Sequence, residues 1–156
     1  MRVAGLALAA LVAAGCAKTV KVETDPSSGK VDVDVQRTGA PEGWSARLAP
    51  MSGSGISGSA TGTTGHDMTH VTVNVMGARP GSTLPWHIHE GKCTDASPPI
   101  VGPPTAYPPL HVGADGRATA EVHLAMDLNE AKSYIINVHA SPTNLGTIVS
   151  CGDFDD

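Results

Sequence analysis

From residue 44 onward, apolar and polar positions alternate in short runs. Val71, Val73 and Val75 alternate strictly with Thr72 and Asn74, the period-two pattern of a strand with one buried face. Residues 45–48, 55–61, 84–89, 110–112, 118–124, 134–138 and 147–151 read as further strands. Turn chemistry separates them. Ala78-Arg79-Pro80-Gly81 is one turn, and Asp115-Gly116 predicts a hairpin joining 110–112 to 118–124. One short helical turn fits residues 126–132. Short strands, frequent turns and no internal repeat predict an all-β fold, a Greek-key barrel or sandwich of about eight strands.

The N-terminus follows different rules. Arg2 precedes an uncharged apolar run over residues 3–14, too short to span a bilayer and laid out like a secretory signal over residues 1–15. It ends in Ala13-Ala14-Gly15-Cys16. Small residues directly before a cysteine resemble the bacterial lipobox. That resemblance implies a lipidated Cys16 and an exported protein anchored to a membrane of the cell envelope, on the periplasmic face or at the outer membrane or cell surface. A simple secreted protein cleaved near Cys16 is the alternative. Ala17 rather than Asp follows the cysteine, which by the same analogy favours the outer membrane or surface. Residues 16–43 read as the lipidated N-terminus and a flexible tether, and residues 44–156 as the folded domain. Within the tether, Val20 and Val22 alternate before the turn signal Asp25-Pro26-Ser27-Ser28-Gly29, and Val31, Val33 and Val35 after it. A hairpin there would be marginal in isolation.

Charge and cysteines narrow the partners. The formal net charge is −5, which excludes nucleic acid as a partner by want of a basic patch. The acidic end Asp153-Phe154-Asp155-Asp156 reads as solvated. Three cysteines are present. With Cys16 carrying lipid, Cys93 and Cys151 remain, and in an oxidising compartment such a pair closes into a disulfide. Constraining that loop in the unfolded chain is worth roughly 3–5 kcal/mol. No nucleophile triad, phosphate-cradling loop or dinucleotide fingerprint is present, since no helix follows the glycines at 53, 55, 58, 62 and 65.

The chemistry concentrates in Trp86-His87-Ile88-His89-Glu90-Gly91-Lys92-Cys93. Two histidines two residues apart on a strand share a face. With Gly55-Ile56-Ser57-Gly58, Leu110-His111-Val112-Gly113-Ala114-Asp115-Gly116, Val138-His139 and Cys151-Gly152, the order and spacing over residues 45–154 resemble the copper/zinc superoxide dismutase superfamily. The resemblance implies an eight-stranded Greek-key barrel, a Cys93–Cys151 disulfide and a copper centre that dismutates superoxide. It implies His87, His89 and His139 as copper ligands at the catalytic centre, and imidazole suits copper. One copper ion is expected.

The family's remaining site is missing. Its bridging histidine, zinc histidines and zinc aspartate belong to the loop after the first cysteine. Residues 94–110 hold no histidine and one carboxylate, Asp95, and carry Pro98, Pro99, Pro103, Pro104, Pro108 and Pro109. Prolines stiffen a loop without metal, so no zinc is expected. The family's anion-guiding arginine, three residues before the second cysteine, is Ile148 here. His111 is a candidate replacement ligand, against the reading of a half-exposed strand histidine. His66-Asp67-Met68-Thr69-His70 offers loose copper ligands, but reads better as a polar hairpin tip. His123 reads as solvent-facing, and Glu90 and Lys92 as surface decoration.

Three functions follow. The protein is a copper-only superoxide dismutase, a copper-buffering module without turnover, or a metal-free structural domain whose histidines are relics. The chordin-type repeat, also β-rich with a His-x-His and a late Val-His, fits the third, but the cysteine pair and the Cys-Gly ending favour the dismutase side.

Overall fold

The computed structural model describes residues 18–24, 31–37 and 42–156. The expected signal segment 1–15 and Cys16 lie outside the described residues. The chain divides into two units, Met1–Ala40 and Pro41–Asp156. In the first, β1 (Lys18–Thr24) and β2 (Val31–Arg37) pair antiparallel, with Val20 opposite Val35 and Val22 opposite Val33. The stretch read as a tether thus holds the hairpin that its alternating valines allowed.

The second unit is all-β. Its strands are β3 (Glu42–Pro50), β4 (Ser57–Gly65), β5 (Met68–Met76), β6 (Thr83–Leu84), β7 (Trp86–Glu90), β8 (Leu110–His111), β9 (Ala118–Leu124), β10 (Tyr134–Ser141) and β11 (Asn144–Phe154). Seven of them form one antiparallel sheet in the order β7-β10-β11-β3-β4-β5-β9, curled into a half-barrel, while β6 and β8 pair separately. Alternation decides which side is core. Trp44, Ala46 and Leu48 of β3, Val71, Val73 and Val75 of β5, and Ala118, Ala120, Val122 and Leu124 of β9 are all buried. Trp44 packs against Tyr134 and Phe154 with ring centroids 5.6 Å away in each case, which ties β3 to β10 and β11. Aromatic pairs of this kind contribute about 0.5–1.5 kcal/mol beyond burial.

Glycine permits the close approach of β11 to β3. A Cβ at Gly152 would collide with the Arg47 carbonyl, so only glycine follows Cys151 there. In β4 a Cβ at Gly62 would lie 2.6 Å from the His70 carbonyl oxygen, which accounts for the small-residue composition of that strand.

Three expectations are corrected. The Asp115-Gly116 turn forms, closed by Gly113 N–H donating to the Arg117 carbonyl at 2.8 Å. The strands it joins do not ladder with each other: β8 pairs β6, and β9 pairs β5 along its whole length. Turn chemistry fixed the chain reversal, whereas the curl of the sheet fixed the partners. Residues 126–132 are not helical. The helical turn is a 3₁₀ turn at Pro104–Ala106, where proline at its start supplies the required φ. The expected strand 84–89 is interrupted at Pro85, which has no N–H to donate.

Candidate metal centre

β7 has both faces buried. Trp86 and Ile88 point into the core, and Trp86 donates its indole N–H to the Pro108 carbonyl at 2.8 Å. His87 and His89 take the opposite face, yet are only 7% and 6% exposed. The proline-rich segment covers them. Ile100 bridges to His89, Pro98 accepts from its ring, and Tyr107 sets its ring against His87 at 5.2 Å. Asp95, the one carboxylate of this segment, accepts from the Lys92 N–H at 2.8 Å and is thereby committed to a local turn.

His139 arrives from β10. In the ladder His87 faces Asn137 and His89 faces Ile135, so residue 139 falls on the same face by parity. A register irregularity after Val138 and a bond from His139 N–H to the Pro85 carbonyl at 2.8 Å set its approach. Bulges of this kind re-aim a side chain. Cys93 and Cys151 form a disulfide with Cα atoms 5.9 Å apart. Cys151 lies opposite Asn137, so the bridge fastens the start of the covering loop at the level of the histidines.

The ring nitrogens are sorted by their partners. His89 Nδ1–H donates to the Pro98 carbonyl and His139 Nδ1–H to the Leu145 carbonyl, both at 2.7 Å. A carbonyl can only accept, so the proton sits on Nδ1 and each Nε2 keeps a lone pair. His139 Nε2 lies 3.0 Å from His87 Nδ1, the separation of two neighbouring ligands each held about 2 Å from one ion. His89 Nε2 is buried without a hydrogen-bond partner, a state that costs about 1–3 kcal/mol and that a metal would relieve. The three ligand nitrogens lie within 4.8 Å of one another, so this group can hold a metal ion.

Burial keeps the imidazoles neutral. His87 is pushed down to about 4 by loss of solvent, then by its His139 and His89 neighbours. His89 and His139 are also lowered, in both cases chiefly by burial and against a carbonyl bond that raises them. Neutral imidazole is the metal-binding form.

The other candidates are placed differently. His111 is exposed on β8, its Nδ1 3.5 Å from the Thr83 hydroxyl, and it stands outside the three-histidine group. Glu90 pairs with Lys132 at 2.7 Å on the surface. His66 and Asp67 form the hairpin tip between β4 and β5, both with positive φ. His70 belongs to the strand beyond that tip, directly opposite His123 of β9. This cross-strand pair was missed in the sequence, where the only signal was two outward positions on separate strands.

No model of a known protein family matches the chain, and no curated protein matches it.

Proposed function

We propose that His87, His89 and His139 hold one copper ion, and that the protein is an exported, lipid-anchored member of the copper/zinc superoxide dismutase superfamily without the zinc site, acting on superoxide in the cell envelope. One observation carries this reading. Three buried, neutral imidazoles converge with two of their tautomers locked by the Pro98 and Leu145 carbonyls. All-imidazole donor sets suit copper, and the orphaned His89 Nε2 fits the group. Bound copper would supply one-electron chemistry, taking an electron from one superoxide and giving one to another, with oxygen and hydrogen peroxide as products. The strand order supports a Greek-key closure, since β3–β11, β7–β10 and β5–β9 are neighbours in space but not in sequence. The disulfide and the residues 1–16 support export and the anchor at Cys16.

The surrounding residues set the terms of turnover. The segment 94–109 contributes carbonyls and ring packing in place of histidines, so both protons of the peroxide come from water. Ile148 stands opposite His139 in the ladder, so no guanidinium draws the anion in from that position, and the net charge of −5 opposes its approach. Capture of superoxide is therefore slower than the diffusional ceiling of about 10⁸–10⁹ M⁻¹s⁻¹. The test is the superoxide decay rate of copper-loaded protein beside its His139→Ala variant. Faster decay in the parent supports the reading, and equal rates refute it.

A second reading has its own support. The histidines are 5–7% exposed, which suits retention of copper without turnover. Retention of Cu(I) against a moderate chelator with no gain in superoxide decay would establish this buffering role. Loss of copper to that chelator would leave the metal-free structural reading.

A further inference from the structure

We propose that His70 and His123, with Glu121, form a second metal site for a borderline divalent cation of the Zn²⁺ or Cu²⁺ class, on the solvent face of the sheet. It shares no ligand with the three-histidine group and stands without the reading above. In the strand order the two lie at opposite ends, one on β7 and β10 and the other on β5 and β9.

The backbone places the pair. His70 and His123 are directly opposite across the antiparallel β5–β9 ladder, where facing Cβ atoms are about 4.5–5.5 Å apart. Their neighbours in the ladder, Val71 opposite Val122 and Thr69 opposite Leu124, are buried and hold both strands. Glu121 lies two residues before His123 on the same face, by the period of two. The backbone of all three ligands is therefore fixed, and only side-chain torsions remain to adjust.

The two rings are in contact, stacked with centroids 4.2 Å apart and planes 3° from parallel. To aim both in-plane lone pairs at one ion, at least one of them must turn out of the stack. Two solvated histidines would turn their nitrogens to water. Instead His70 Nε2 is shielded and has no hydrogen-bond partner. Its approach to the Glu121 carboxylate, 3.6 Å, is beyond hydrogen-bond range. One ligand atom from each of His70, Glu121 and His123 lies within 4.8 Å of the others. Metal bonds of about 2.0–2.1 Å to nitrogen and 2.0–2.2 Å to oxygen require these atoms to close in by about 1 Å. The side chains of His70 and Glu121 are 43% and 55% exposed and free to rotate that far. Two imidazoles and one carboxylate select zinc or copper over magnesium or calcium, which prefer all-oxygen sets. Water fills the remaining positions, so the site is open.

The test is titration of the full chain with Zn²⁺ against a chromophoric chelator, for the parent, His123→Ala, His139→Ala and the double variant. A parent that binds two equivalents, with one lost in each single variant, supports the proposal. So does a parent that binds one equivalent, lost in His123→Ala and kept in His139→Ala; that result would put zinc at the second site alone, with copper at the three-histidine group judged separately by the superoxide and chelator tests. Unchanged stoichiometry in His123→Ala overturns it. Since His123→Ala removes an exposed side chain, circular dichroism checks the fold, and Glu121→Gln gives a second probe. The ring proton resonances of His70 and His123 shift together on adding Zn²⁺ to the parent, and their failure to move also overturns the proposal.

Discussion

Two histidine groups sit on strand pairs of one curled sheet, and they differ in how their nitrogens are prepared. In the buried group each of His89 and His139 spends one nitrogen on a carbonyl, which fixes the tautomer and ring orientation. The outer pair is only partly shielded and has no carbonyl partners, and its rings lie flat against each other. Preparation therefore comes from different sources: covering loops and main-chain acceptors in one, ladder register alone in the other. A site prepared by tertiary contacts is sensitive to anything that loosens its cover. One prepared by register is sensitive only to the ladder.

The sharpest way to break this comparison is to cut the disulfide. The Cys93→Ser/Cys151→Ser double variant is expected to lose about 4 kcal/mol in urea denaturation, the chain-entropy value for a loop of 58 residues. It should weaken metal binding at the buried group and leave Zn²⁺ binding at the outer pair intact. Equal weakening of both would show that they share one source of order.

Acid offers the next test. Unfolded His87 titrates near 6.5, but in the fold near 4. Between these values the unfolded chain binds more protons, so the metal-free domain loses stability as pH falls from about 6.5 to about 4. The contribution is fully present above that window. Denaturation midpoints measured across it should slope downward toward acid, and His87→Gln should flatten the slope. A flat profile in the parent would mean that burial does not hold the ring neutral.

A smaller effect is expected from Ile148→Arg, which puts a cation opposite His139. Steering of an anion by such a charge is worth about ten-fold in on-rate at low salt. If the buried group turns over superoxide, stopped-flow decay should speed up by about that factor and lose the gain in high salt. The outer pair should be indifferent to the change.

The smallest effect concerns the tip beside the outer pair. Asp67 has a φ of 61°, a conformation that glycine adopts without penalty. Asp67→Gly is expected to stabilise the domain by up to about 1 kcal/mol in thermal melts, with both sites unchanged.

The outer pair and the hairpin around residue 115 show where sequence reasoning stops. The alternation in β9 was legible because its inward residues are all apolar, and the structure places that strand over Ala118–Leu124. Its partner was not legible. Pairing β9 with β5 joins residues about fifty positions apart, and nothing local encodes that choice. The same gap hid the stacked imidazoles of His70 and His123.

The sequence by itself determined the all-β character, the cysteine pair, and the parity that puts His87 and His89 on one face. Each depends on neighbours within a few residues or on simple arithmetic. Only the tertiary structure decided that His139 reaches them, through an irregularity after Val138 and a bond to Pro85. It also decided that the proline-rich segment would bury both rings and hold His89 by a carbonyl. The physical reason is that tautomer, burial and pKa depend on atoms brought close by the curl of the sheet, and a side chain's chemistry follows those neighbours rather than its place in the chain.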